Sequence, residues 1–433
     1  MAAAEARKPE PSAKAIHGQN SLVKAEARKP EPSAKAIHGQ NSLVKARKPE
    51  PSAKAIHGQN SLVKAEARKP EPSAKAIHGQ NSLVKAEARK PEPSAKAIHG
   101  QNSLMKARKP ELLATASSPA ELERLANAGA DALLVGGPPF AARAAGPFDL
   151  AMIRDAARLL HPQGKRLYVL VNNLLDNAAL EALPKYIRGL AEAGVDAVEC
   201  GDPAVLMTVR EEAPGIGVHW NAEMTATNAR AAEFWGRRGA SRAVLARELN
   251  GEEILAFKAK TSLEVQVQVH GMTNIYHSKR RLVESYLEHS ANTGRSFVLR
   301  GRDGSDAGGS AGLPGAADAA QGLYLIETER PDSRLPIFED EAGTHIMSPD
   351  DICLLEVVHE LLEGGIDAFK IEGLLKTPEY NEAAVRAYRT AIDEWLRDPA
   401  GYEFREEWLE PVRALQDPRR ELTFGFYYKE QVY

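Results

Sequence analysis

Cysteine is nearly missing from this chain. Only Cys200 and Cys353 occur in 433 residues, which excludes a disulfide framework and a metal site built from four thiolates. No run of about 18 apolar residues is present, and no apolar signal-peptide core opens the chain. The sequence therefore reads as that of a soluble, cytoplasmic protein with no membrane contact. The first strand is not followed by Gly-x-Gly-x-x-Gly, so the fingerprint of an open dinucleotide-binding sheet is lacking too. Excess charge of one sign is also absent overall, the formal net charge being -3. That balance conceals two opposite parts: residues 1–104 hold 19 Lys/Arg against 9 Asp/Glu, and the remainder holds 37 against 50. The basic character sits at the N-terminus. The acidic remainder argues against a broad phosphate-binding face on this chain alone.

The N-terminal part is a repeat. The unit EARKPEPSAKAIHGQNSLVKA begins at Glu5 and returns at Glu26, in shortened form at Ala46, then at Glu66 and Glu87. Each copy offers only Ile, Leu and Val as large apolar residues and places two prolines within three positions. Such a unit buries too little surface to offset the entropy of ordering it, so residues 1–104 are expected to be a disordered tandem-repeat tail rather than a solenoid. The five repeat histidines lie about 20 residues apart, and no metal site is expected from them. Four copies end in SLVKA. The last reads Ser103-Leu104-Met105-Lys106-Ala107 and runs directly into Arg108-Lys109-Pro110-Glu111-Leu112-Leu113. This junction marks Met105 as the native start or a short N-terminal segment as tandemly duplicated; the alternative is a genuine tail with a tethering role.

From Glu111 onward strand and helix alternate eight times. Strands are predicted at Leu112–Ala116, Ala132–Gly136, Leu167–Asn172, Ala197–Gly201, Gly217–Ala222, Ala243–Arg247, Val265–His270 and Ala368–Glu372. Helical patterns such as Pro119–Ala128, Leu150–Leu160, Ala178–Ala193, Ala229–Arg238 and Glu252–Lys260 separate them. Short apolar runs alternating with helices of 10–15 residues imply a parallel sheet, and eight units imply closure into a (β/α)8 TIM-type barrel. Three helices end in one signal: Asn127-Ala-Gly129-Ala-Asp131, Glu192-Ala-Gly194-Val-Asp196 and Glu363-Gly-Gly365-Ile-Asp367. In each, the glycine suits the left-handed position that stops a helix. Residues 105–290 are assigned to barrel units 1–7 and 348–400 to the last helix-strand-helix. Between them, residues 291–347 form a small β insertion with patches at Phe297–Leu299, Leu323–Glu327 and Leu335–Phe338 around the Gly/Ala-rich stretch Gly301–Gly322. Residues 401–433 form an aromatic tail (Phe424-Gly-Phe-Tyr-Tyr428) packed on the barrel.

Barrel sites lie where strands end, and side chains alternate along each strand. In the seventh strand Val265, Val267 and Val269 face the helices, leaving Gln266, Gln268 and His270 inward. His219, Asn221 and Glu223 share one face of the fifth, and Lys370 shares a side with Glu372 in the eighth. The third strand ends in Asn172-Asn173, the fourth carries Glu199, and the sixth ends in Arg247-Glu248. Burying unpaired charge is costly, so this concentration of ionisable groups reads as a polar pocket. His270, Glu199 and Glu223 are its catalytic candidates, suited to proton transfer. Asn172, Asn221, Arg247, Lys370 and Glu372 are its substrate-binding candidates. The competing account is a satisfied ion-pair network, Lys370–Glu372 and Arg247–Glu248, that merely closes the barrel.

Several segments carry a family resemblance. Arg247-Glu-Leu-Asn-Gly-Glu-Glu-Ile254, Val269-His-Gly271, Met347-Ser-Pro-Asp-Asp-Ile-Cys-Leu354 and Phe369-Lys-Ile-Glu-Gly373 resemble successive blocks of the peptidase U-32 (collagenase-like) family. Pro110-Glu-Leu-Leu113, Gly136-Gly137 with Phe140 and Arg143, Lys376-Thr-Pro-Glu-Tyr380, Tyr388-Arg389 and Arg420-Glu-Leu-Thr-Phe-Gly-Phe426 fit as well, in order over about residues 110–426. Many members hold an iron–sulfur cluster on four cysteines. Aligned on His270-Gly271, those positions fall at Asn274 and Arg281 and near Ser296 and Leu299, none of which can replace a thiolate on iron. Leu374 stands where many relatives have Arg. The resemblance implies oxygen-independent hydroxylation of RNA bases or quinone precursors, with prephenate implicated as co-substrate for the RNA branch; Lys370 and Arg247 would be the partners of such a dicarboxylate. With His270-Gly-Met-Thr-Asn274 and Ser278-Lys279-Arg280, the chain resembles the shorter, cluster-free member of a paired system that hydroxylates the tRNA wobble uridine. A cysteine-bearing paralogue would be its partner, and tRNA would be met through the complex.

Peptidase chemistry and a non-catalytic scaffold role are the other classes. Gly308-Gly-Ser310-Ala-Gly312 matches Gly-x-Ser-x-Gly but lies in a Gly/Ala-rich loop rather than a strand-to-helix elbow. His359-Glu360 lacks the second histidine of a zinc protease. Cys200, near His219, reads as a buried structural thiol, and Cys353 is expected inside a helix, in the core.

Overall fold

The computed structural model describes residues 109–221, 226–292, 323–327 and 329–429, together with two short strands in the repeats, Val44–Ala46 and Val63–Ala65. These two strands, the ends of successive repeat copies, pair in parallel with Val44 opposite Val63. The rest of the tail expected to be disordered, together with Phe297–Leu299 and Gly301–Gly322, lies outside the described residues.

The barrel begins with β1 (Glu111–Thr115), α1 (Pro119–Ala128), β2 (Ala132–Val135), α2 (Leu150–Leu160) and β3 (Arg166–Leu170). It continues through α3 (Asn177–Ala193), β4 (Ala197–Cys200), α4 (Pro203–Glu212), β5 (Gly217–Trp220), α5 (Ala229–Gly236), β6 (Arg242–Val244), α6 (Gly251–Lys258) and β7 (Glu264–Gly271). An insertion follows: β8 (Asn274–Ser278), α7 (Leu282–Asn292), β9 (Tyr324–Glu327), β10 (Arg330–Asp340) and β11 (Gly343–Met347). The chain returns through β12 (Asp351–Cys353), α8 (Val358–Glu363), β13 (Ala368–Ile371) and α9 (Pro378–Arg397), and ends with α10 (Glu410–Leu415) and β14 (Leu422–Thr423). Strands β1 to β7 pair in sequence, all parallel, and β13 pairs in parallel with both β7 and β1. The sheet closes into the expected eight-stranded barrel.

Alternation along these short strands builds two apolar layers. Leu112, Leu133, Val169, Val198, Val218, Val265 and Phe369 face the helices in one large cluster, whereas Leu113, Leu134, Tyr168, Leu170 and Ala197 fill the lumen. Each buried Leu or Val contributes about 1.5–3 kcal/mol relative to exposure. Helix starts are fixed by side-chain caps: Ser118, Asp149, Asp176, Asp202, Asn228, Asn250 and Thr377 each accept a backbone N–H from the first turn, worth about 1 kcal/mol apiece.

The thrice-repeated Gly-x-Asp signal has two functions. Gly129, Gly194 and Gly365 adopt φ of 115°, 86° and 70°, the left-handed turn that ends a helix. The aspartate two residues on then accepts a strand N–H: Leu112 donates to Asp131, Leu167 to Asp196 and Val265 to Asp367. The motif therefore stops the helix and also fixes the start of a neighbouring strand.

The lower end of the lumen is closed by charge. Arg242, 1% exposed, reaches Glu111 Oε1 at 2.6 Å, Glu264 Oε2 at 2.8 Å and Gln266 Oε1 at 3.2 Å. Tyr168 donates to Glu111 at 2.7 Å, and its ring meets the edge of His219. His219, grouped by parity with the pocket residues, belongs to this lower layer instead.

The insertion is a four-stranded antiparallel sheet ordered β8-β11-β10-β9. Its first strand follows β7 almost directly, so the insertion starts at Asn274, ahead of the boundary at 291. Met272, Phe338, Met347 and Leu374 form the small core where sheet and barrel meet. After the insertion β12 runs antiparallel to β7 and parallel to β14. Cys353 thus lies in a strand, not the expected helix; its neighbours Asp351 and Ile352 take part in a sheet extension that local sequence pattern does not reveal. In the C-terminal tail, Tyr427 is buried in the main core and its hydroxyl donates to Glu360.

Candidate functional site at the barrel mouth

A cavity opens at the C-terminal ends of the strands, lined by Asn172, Glu199, Asn221, Arg247, Glu248, Gln268, Lys370 and Glu372 from the barrel. Arg143, held at φ 56°, enters from the loop after β2. Met272, Asn274, Met347 and Leu374 complete the wall from the insertion side.

Glu199 is the floor. Its carboxylate is fully buried and accepts from Asn221 Nδ2 at 2.8 Å and Gln266 Nε2 at 3.1 Å. Lys370 Nζ lies 3.7 Å from Glu199 Oε1 and 3.2 Å from Glu372 Oε2. Burial alone would pull the lysine pKa down, but the two carboxylates outweigh it and hold the ammonium protonated, its pKa raised. Glu372 is fixed in turn, accepting from Thr115 Oγ1 at 2.9 Å and from the Leu374 N–H at 3.1 Å. Arg247 Nε sits 3.3 Å from Glu248 Oε1. Asn172 Oδ1 accepts from the Ala142 N–H at 2.9 Å, tying the β3 end to the loop bearing Arg143.

Six of the eight residues singled out by alternation thus meet in one cavity: Asn172, Glu199, Asn221, Arg247, Lys370 and Glu372. Both ion pairs of the competing account also form, and they line that same cavity. Network and pocket are one structure. Glu223 lies outside the described residues.

His270 is corrected. The register between β7 and β13 shifts after Lys370↔Gln268 to Ile371↔His270, so the extra residue Val269 breaks the alternation. His270 therefore takes the outward parity of Ile371 and is fully buried against α9, its Nε2 2.9 Å from the Tyr380 hydroxyl. Burial pushes its pKa down to about 4. It does not line the cavity. The glycine after it is obligatory, since a Cβ on Gly271 would stand 2.1 Å from the Glu372 carbonyl oxygen.

Sequence reasoning notes Glu248 and Gln268 at strand ends without making them site candidates, and Arg143, Met272, Asn274 and Met347 enter it only as parts of motifs. The parity that placed Gln268 inward was the available signal for that residue. Insertion residues carry no such signal, because only the fold brings β8 and β11 over the barrel. The thiols offer no nucleophile: burial raises the pKa of both Cys200 and Cys353. Gly308–Gly312 lies outside the described residues, and among the described residues no group of His, Cys, Asp or Glu is arranged to hold a metal ion. No described helix is long and apolar enough to cross a membrane.

A closed parallel (β/α)8 barrel with interleaved acids and bases at its strand ends defines a barrel protein with a polar site at the mouth. Comparison makes the class specific: residues 117–432 match the model of peptidase family U32, and the chain belongs to that family. It is 42% identical over 327 residues to tRNA hydroxylation protein P2 of Bacillus subtilis (strain 168), covering 75% of this chain and 100% of that protein. It is also 29% identical over 333 residues to tRNA hydroxylation protein P1 of the same organism, covering 75% of this chain and 74% of that one. With tRNA hydroxylation protein P of Escherichia coli (strain K12) the identity is 30% over 344 residues, covering 73% and 74%. One organism thus holds two such paralogues.

Proposed function

We propose that this chain is a subunit of a tRNA-modifying system that makes 5-hydroxyuridine at the wobble position. The observation that carries this reading is the match over the whole length of a tRNA hydroxylation protein at 42% identity. The coexistence of P1 and P2 in one organism supports a paired system, in which a cysteine-bearing paralogue is the partner and tRNA is engaged through the complex. This chain is assigned no iron–sulfur cluster. Where the family's first two cysteines fall, it has Asn274 in the pocket wall and an exposed Arg281 paired with Glu284, and neither is a thiolate.

Prephenate, a dicarboxylate, is the proposed co-substrate. Arg143, Arg247 and Lys370 bring three cations to one cavity beside Glu199, Glu248 and Glu372, and their N–H groups are the donors for charge-assisted recognition of two carboxylates. Glu199 and Glu372 keep Lys370 protonated and in place, so the ligand meets a preset charge. The cytoplasm, where tRNA is available, is the proposed location.

The test is nucleoside mass spectrometry of bulk tRNA from cells lacking this protein, complemented with the full chain or with residues 105–433. Loss of 5-hydroxyuridine derivatives and their return with either form is the expected result, and the truncated form would show the repeats to be dispensable. An unchanged nucleoside profile in the deletion overturns the reading.

A further inference from the structure

The cavity has two chemically different ends. From the barrel come the charged Glu199, Arg247, Glu248, Lys370 and Glu372, with Asn172, Asn221 and Gln268 among them. From the insertion come Asn274 and Met347, with Met272 and Leu374 beside them, and none of these carries charge. Within the uncharged end one polar group is unused. Asn274 is 8% exposed, and its Oδ1 is buried with no hydrogen-bond partner. Leaving such a group unpaired costs about 1–3 kcal/mol, which a stably folded pocket recovers when a ligand supplies the missing donor. A backbone irregularity lies next to this residue. β8 pairs with β11 through Asn274↔Met347 and then slips by one residue before Tyr276↔Ile346, an irregularity of the kind that re-aims side chains beside binding sites.

We propose that Asn274 reads the base to be modified. Its amide offers one donor and one acceptor side by side, the complement of the uracil imide edge, where N3–H donates and an adjacent carbonyl accepts. The thioether and aliphatic side chains of Met272, Met347 and Leu374 suit the faces of a pyrimidine ring, as expected for a base turned out of its stack into a pocket. The anionic co-substrate then occupies the charged end, and the two meet across one cavity. This inference rests on the tRNA-hydroxylation reading for the identity of the ring, and on the cavity itself for the recognition.

Ligand-observed NMR titration of the full chain with uridine and with 3-methyluridine, whose N3 donor is blocked, tests it. Uridine is expected to bind about 10-fold more tightly, the worth of one well-made hydrogen bond, and N274A to erase the difference. N274A should melt no lower than the native chain, because it deletes an unsatisfied group; a lower melting temperature would mark a structural role instead. No binding of uridine, equal binding of both nucleosides, or discrimination that survives in N274A overturns the proposal. In deletion cells the same variant, expressed at native level, should leave 5-hydroxyuridine about 10-fold reduced. Full restoration there by N274A also refutes the proposal, whereas a deletion without any nucleoside phenotype refutes the tRNA reading alone.

Discussion

Replacing Lys370 by Met removes the positive charge from between two carboxylates. Glu199 is fully buried, and Lys370 keeps only 11% of its side chain exposed, so solvent screens little of the interaction. With the ammonium gone, Glu199 and Glu372 face each other without a cation between them. Breaking a buried pair by deleting one partner costs about 3–5 kcal/mol, because the surviving charge keeps its desolvation penalty. Urea unfolding of the full chain at pH 7 should report a loss of that size for K370M. Adding Glu199→Gln and Glu372→Gln should return part of it, since the orphaned charges are then neutralised; the return is partial because Asn221 and Gln266 donate to different oxygens of Glu199, of which a glutamine keeps one. The non-additivity is the decisive readout. A K370M chain within about 1 kcal/mol of the native one would refute the argument, because only a solvated lysine could be lost so cheaply. In the same variant the proposed dicarboxylate site loses its central cation, so 5-hydroxyuridine formation should fall even under conditions where the chain remains folded.

Other perturbations follow from the same geometry. His270 has its pKa lowered to about 4 against an unfolded value of about 6.5, so the unfolded chain binds the extra proton first. Its neutral form therefore contributes full stability above about pH 6.5, loses about 2 kcal/mol by pH 5 and keeps losing down to about pH 4; His270→Gln should flatten that part of a urea-midpoint profile. Asp351, fully buried, meets Lys376 Nζ at 2.5 Å and Arg420 Nη2 at 2.9 Å, and these cations outweigh burial to hold its carboxyl well below the usual range. Its stabilisation is present above about pH 3.9 and fades as the pH falls further, and D351N should cost about 3–5 kcal/mol at pH 7. It should also speed cleavage of the C-terminal tail, clamped by Arg420, in limited proteolysis relative to the native chain. Gly271→Ala forces a side chain onto the Glu372 carbonyl at φ 96° and should lower stability by more than about 2 kcal/mol; a native melting temperature would show that the β7–β13 contact is looser than described.

Sequence alone determined the barrel. Short apolar strands with period two, separated by capped helices and repeated Gly-x-Asp stops, permit no other common architecture once they occur eight times. The lower-layer position of His219 and the outward turn of His270 were not legible, because parity is a local rule. A single inserted residue at Val269 reverses it, and that insertion is visible only in the pairing of β7 with β13. Alternation found the charged half of the pocket, since charged residues at strand ends are conspicuous against an apolar run. It could not find Met272, Asn274 or Met347, whose composition is that of any loop or edge strand. Tertiary structure alone folds the insertion back across the mouth, and it alone decided that Lys370, Glu199 and Glu372 are at once an ion-pair network and the floor of a cavity. The Lys370–Glu372 pair is local, but the 3.7 Å approach of Lys370 to Glu199 joins strands remote in sequence, and no local pattern encodes that distance.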